Sequence, residues 1–146
     1  MAFTLHPRSE ERKRSAVRLI KLLLIAENRH EVLPEHTREL LDKMLWKLTE
    51  RDRSKYKTRL QSQGALNSSA VRGLRHEHVF QKEIMIDLLM AAAPNEIDGI
   101  LQDAVGCTVT IEEHARLAPF NNEYGWERYR KARIEVINTE SGERVI

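Results

Sequence analysis

Cysteine is nearly absent from this chain: Cys107 is the single one in 146 residues. One thiol excludes an internal disulfide framework and every multi-cysteine zinc site, so a metal here would have to be held by histidine and carboxylate. Long hydrophobic runs are missing as well. The longest, LIKLLLIA, is interrupted by Lys21, and none approaches the roughly 20 apolar residues of a membrane span. No membrane association is expected. The opening residues MAFTLHPRSEERKRS put the charge after the short apolar part, the reverse of a secretory signal, which predicts an intracellular, cytoplasmic protein. There is no internal repeat, no low-complexity tract and no clear helix-turn-helix with a short glycine turn. Net charge is also small, at +2. That figure conceals an asymmetry. Residues 1–80 carry 17 Lys+Arg against 10 Asp+Glu and residues 81–146 carry 7 against 12, so the two parts stand at +7 and −5. A chain divided in this way is suited to touch a polyanion with one part only.

What is present is 41% apolar and 32% charged sequence spread over the whole length, which predicts one globular domain over 1–146. Ser9 reads as a helix cap, and Ala16, Val17, Ile20, Leu23 and Leu24 recur at helical spacing up to about Asn28. Pro34 opens a second helix, with Leu40, Leu41, Met44, Leu45 and Leu48 on one stripe. The segment ERDRSKYKTRLQSQ continues in helix-forming residues with almost no apolar stripe, and GALNSSAVRG reads as a loop. Residues 1–63 thus form a helical part. From residue 74 the texture changes. LRHEHVF reads as a strand, QKEIMIDLLMAAA as a helix stopped by Pro94, and Asn95 as the cap of a further helix to about Ala104. CTVTI follows as a β-branched strand. Thr110 and Glu113 form the pair T-x-x-E that starts a helix at Ile111. A short helix, WERYRKA, and an alternating strand, turn and strand close the chain. The fold class expected is α+β, mostly helical: an N-terminal helical pair, then over 74–146 a ββα-like unit with a helical insertion and a C-terminal hairpin.

Three of the six histidines carry the interest: His76 and His78 on the first strand, and His114 near the start of the helix after the second. Imidazole and carboxylate are natural ligands of a divalent metal, and imidazole is the natural general base near neutral pH. Pairing of the two strands would bring them together. The run Glu77-His78-Val79, followed by CTVT and a helix with EEHARL, resembles the ββα-metal site of HNH endonucleases over about residues 74–118. The resemblance implies a metal-dependent phosphodiesterase acting on DNA. In it His78 would activate water, and Glu77 and His114 would hold the metal, Mg²⁺ or Mn²⁺ with Zn²⁺ as an alternative. The chain departs from the family pattern in having Phe80-Gln81 where the family has proline, and in lacking the glycine-rich loop. Strand alternation sets His76 and His78 on one face and Glu77 on the other, so His76 is a further metal candidate beside His114. Each histidine also has a plainer reading. His114 would be a solvent-facing first-turn residue, His76 and His78 hydrogen-bonded residues at the core edge, and His30 and His36 surface residues.

A second feature precedes the first strand. Arg51, Arg53, Lys55, Lys57, Arg59, Arg72 and Arg75 stand against Asp52 alone, with Tyr56 among them. Such a segment suits a phosphate-tracking surface for DNA or another polyanion, and an acidic protein surface would satisfy the same charges. Tyr124, Trp126 and Tyr129, among arginines, read as a core anchor for the last helix or as a binding platform. The rival function is a non-catalytic interaction protein, such as a small phage or mobile-element factor, that binds a nucleic-acid-processing complex through basic and aromatic surfaces.

Overall fold

The computed structural model describes residues 3–68 and 71–146, so residues 69–70 of the predicted Gly/Ser-rich loop lie outside the described residues. Helix α1 (Ser9–Asn28) turns Ala16, Ile20 and Leu24 inward, and α2 (Pro34–Thr49) opposes them with Leu41, Leu45 and Leu48. This is the expected helical pair. Two details differ from expectation. Arg8, not Ser9, is the N-cap of α1, because the Ser9 hydroxyl is spent on Asp52, donating to Oδ1 at 2.6 Å. Leu40 of the predicted stripe is exposed.

Residues 50–59 form turns rather than a helix. With no apolar stripe to bury, nothing rewards a helical conformation there. The chain instead enters a short strand, β1 (Leu60–Ser62), and a single helical turn, α3 (Gln63–Leu66). A three-residue strand leaves no periodicity to read, and its pairing comes entirely from strands distant in sequence.

Then follow β2 (Leu74–His78), α4 (Lys82–Ala91), α5 (Ile97–Leu101), β3 (Gly106–Thr110), α6 (Ile111–Leu117), α7 (Trp126–Lys131) and β4 (Val136–Asn138). Asn95 does not cap: it lies inside a 3₁₀ turn over Pro94–Glu96, where the Glu96 carboxylate accepts from Ala93 N–H at 2.8 Å, and α5 ends at Leu101. The sheet order is β2-β3-β1-β4. β2 runs antiparallel to β3, β1 parallel to β3 and antiparallel to β4. The C-terminal hairpin folds residues 143–146 back on β4: Asn138 N–H donates to the Glu143 carbonyl at 2.8 Å, Val145 N–H to the Val136 carbonyl at 2.8 Å and Val136 N–H to the Ile146 carbonyl at 3.1 Å.

Two apolar cores result. One joins α1, α2, α4 and α5; the other lies under the sheet face carrying Cys107, Val109 and Val136, covered by Leu117 of α6 and Tyr129 of α7. Phe80 packs against both. The architecture is α+β and 54% helical. No described helix is long and apolar enough to cross a membrane.

Candidate functional site

The antiparallel register sets His76 opposite Thr108, Glu77 opposite Cys107 and His78 opposite Gly106. Neighbouring positions on a strand point to opposite faces, so β2 serves two different environments. His76 and His78 face the helical layer. The His76 ring stacks on Trp46 at 4.7 Å between centroids, while the His78 ring meets Trp46 edge-on at 4.7 Å and His76 at 5.3 Å. His76 Nε2 and the Thr49 hydroxyl lie 3.0 Å apart. The rings fit because position 106 is glycine: a Cβ there would stand 2.8 Å from His76 Cε1. Lys55 and Lys82 place their ammonium groups 5.7 and 5.0 Å from the Trp46 ring. Burial, with Lys55 and Lys82 adding to it, pushes His76 down to about 4. Burial, then His76 and Lys82, pushes His78 down to about 3. Both imidazoles are therefore neutral in the native protein at pH 7.

Glu77 points the other way, into the second core. Its Oε1 meets Nδ1 of His114, and its Oε2 lies 3.5 Å from Nη2 of Arg128. Arg128 is only 3% exposed; Nη2 also donates to the carbonyls of His78 and Val79, at 2.8 Å each, fastening α7 to the end of β2. The chain of polar groups runs from the interior to the surface. Arg128 and Glu77 are buried, whereas about half of the His114 side chain is open to solvent.

His114 is positioned by α6, which begins at Ile111. As its sequence predicts, Thr110 caps α6, accepting from Glu113 N–H at 3.1 Å, while Glu113 Oε2 accepts from Thr110 N–H at 2.9 Å. Glu113 also accepts from the Ser62 hydroxyl, which itself accepts from Ala65 N–H at 3.0 Å. Glu113 is thus both the expected capping partner of Thr110 and a buried link between β1, α3 and α6.

The set implied by the resemblance is divided by the sheet. Glu77 meets His114, but His76 and His78 lie on the opposite face. The family's metal does not fit this arrangement. Both oxygens of Glu77 are engaged within the protein, and among the described residues no group of three or more His, Cys, Asp and Glu side chains converges as a metal site. A carboxylate bonded to Nδ1 fixes the imidazole tautomer and its orientation, leaving Nε2 as the reactive nitrogen.

The basic segment is also divided. Arg51 Nη1 is held by the carbonyls of Leu48 and Ala104 at 2.9 and 3.3 Å, and Arg59 pairs with Asp52 and Glu140 at 3.0 and 3.2 Å. Arg53, Lys55 and Lys57 are exposed and form no ion pair among the described residues. Lys55 lies 4.9 Å from the ring of Tyr56, whose φ of 66° turns the chain. Arg72 and Arg75 are exposed beside β2, Arg75 donating to the Leu74 carbonyl at 2.9 Å.

Tyr129 is fully buried and packs on the half-buried Trp126 at 5.1 Å, so Tyr129 anchors the aromatic helix to the second core. Cys107 is buried and its thiol is pushed up by that burial, away from nucleophilic behaviour. His30 and His36 are exposed. Sequence reasoning missed Arg128 as a site residue. Its only signal was a cation set between Trp126 and Tyr129 on a helix whose face must be buried.

Comparison with protein-family models, curated proteins and solved structures found no match in any of the three. The chemistry rests on the geometry.

Proposed function

We propose that the protein is a nucleic-acid-associated phosphodiesterase in which His114, oriented by Glu77, is the group that moves protons at the scissile phosphate. One observation carries this reading: a buried Arg128–Glu77 pair that ends on a solvent-open imidazole. Burying a carboxylate and a guanidinium costs several kcal/mol per ion in desolvation, and well-packed apolar residues serve stability as well or better. Such a chain is expected where a reactive group must be held in one orientation. In the step proposed, His114 Nε2 takes a proton from the attacking water. The water oxygen bonds to phosphorus, the bond to the leaving sugar oxygen breaks, and that oxygen takes a proton from solvent. The exposed cations Arg53, Lys55, Lys57, Arg72 and Arg75 supply the attraction for the phosphate backbone.

The test is cleavage of supercoiled plasmid and of single-stranded oligonucleotide, with Mg²⁺, with Mn²⁺ and with chelator. His114→Ala should lower the rate by about a hundredfold or more, the usual scale for a general base, and Glu77→Gln should lower it as well. His78→Ala should retain cleavage if the variant stays folded. Activity that survives both His114→Ala and Glu77→Gln would overturn the assignment. The second reading, a non-catalytic interaction protein, is favoured by Arg53, Lys55 and Lys57, exposed cations that form no ion pair among the described residues. It predicts no cleavage in any variant, and binding to a nucleic-acid-processing complex that is lost on substitution of those cations.

A further inference from the structure

A cleft of about 500 Å³ opens between the first half of α1, the last turns of α2 and the loop that follows α2. Its charges do not cancel. Arg8 is closed in an ion pair with Glu11 at 2.8 Å, which leaves Glu50 facing Arg12, Lys47, Arg51 and Arg53. Arg12, Lys47 and Arg53 are exposed, and none forms an ion pair with a described carboxylate. Two of the guanidinium groups are held in place by the protein itself. Arg12 Nη1 donates to the Arg53 carbonyl at 3.1 Å, and Arg51 Nη1 to two carbonyls. The local field is felt by His6, held below its usual range by loss of water and by Arg12, Arg53 and Arg8.

The rest of the cleft wall is apolar, formed by Ala16, Leu19 and Met44, with Leu19 45% exposed. A bare anion would leave that wall uncovered. A duplex carries its phosphates outermost, with sugars and bases behind them, and cannot lay a base against a wall between two helices. A single strand can do both, because its bases are free to splay away from the backbone. Resting on the nucleic-acid reading above and extending it, we infer that this cleft binds one nucleotide unit of a single strand. The phosphate sits on Arg12, Lys47 and Arg53, and the sugar and base lie against Ala16, Leu19 and Met44. Arg53 belongs to the basic segment read from the sequence, whereas Arg12 and Lys47 join it only through the packing of α1 on α2.

The experiment is fluorescence anisotropy of a labelled single-stranded oligonucleotide with the full chain. Three proteins are compared: wild type, Arg12→Glu/Arg53→Glu, and Lys13→Glu/Arg14→Glu. The last makes the same charge change on exposed positions of α1 outside the cleft. Reversal in the cleft should weaken binding by at least about tenfold and, with two phosphate contacts gone, flatten the salt dependence by about 1.4 in log–log slope. The control reversal should weaken binding by only a few-fold. Leu19→Glu should weaken binding of the oligonucleotide more than binding of inorganic phosphate. Equal loss in the two double variants overturns the cleft, as does tighter binding of duplex or equal competition by polyglutamate. If the oligonucleotide is not held at the cleft while His114-dependent cleavage persists, the cleft alone fails. Absence of both binding and cleavage removes the nucleic-acid reading with it.

Discussion

His76 and His78 tie stability to pH in a direction fixed by their burial. Native imidazoles at about 4 and about 3 stand against an ordinary value of 6.5. Between these limits the unfolded chain binds protons that the native protein refuses, so acidification favours unfolding. Their contribution is fully present above about pH 6.5 and is lost as the pH falls. Near pH 5 the loss should reach up to about 2.7 kcal/mol per pH unit for two protons. Urea unfolding at pH 7.5 and 5.5 measures it, with His76→Gln/His78→Gln as the comparison. A slope unchanged by that double substitution would show that the two rings are not the cause. The same burial explains why neither ring is suited to take a proton from water at neutral pH, whereas His114, on the other side of the strand, is open to substrate.

At the scale of elements, α6 is the part on which the site depends. Removing its cap with Thr110→Ala should cost about 1 kcal/mol and release Glu113 from one of its partners. Since His114 sits one residue past Glu113, cleavage should fall by more than the loss of folded protein accounts for; activity measured on the folded fraction separates the two. This helix was legible because T-x-x-E is a local signal read within four residues. The pairing of β2 with β3 was legible too, from two β-branched or aromatic runs joined by helices that end in punctuation at Pro94 and Gly106. β1 was not. Leu60, Gln61 and Ser62 carry no alternation of their own, and their strand state is imposed by Cys107, Thr108, Ile137 and neighbours far along the chain. The division of Glu77 from His76 and His78 was written in the alternation of β2. The meeting of Glu77 with Arg128 was not, because it needs the placement of α7, and no local pattern carries that.

Over the whole molecule, the two cores meet through the sheet and through Phe80, so they are expected to unfold together. Leu45 is 1% exposed in the helical core, and Leu45→Ala should cost about 2–5 kcal/mol. The two tryptophans offer a probe on each side, Trp46 on α2 and Trp126 on α7. In single-tryptophan variants, Leu45→Ala should lower the denaturation midpoint by the same amount at both probes. A midpoint at Trp126 that stayed put would mean separate folding units.

The order of strands in the sheet adds a kinetic consequence. β1 is the earliest strand in the sequence, yet it occupies an interior place, between β3 and β4. The amino-terminal helices can pair as soon as they are made, but β1 has no partner until strands far downstream exist. Closing such long loops is slow, and it comes after local structure has formed. The basic turn at residues 50–59 is therefore tethered at one end early and at the other end last. Throughout that interval its cations are displayed on an unanchored segment, so a polyanion that captures them would compete with completion of the sheet.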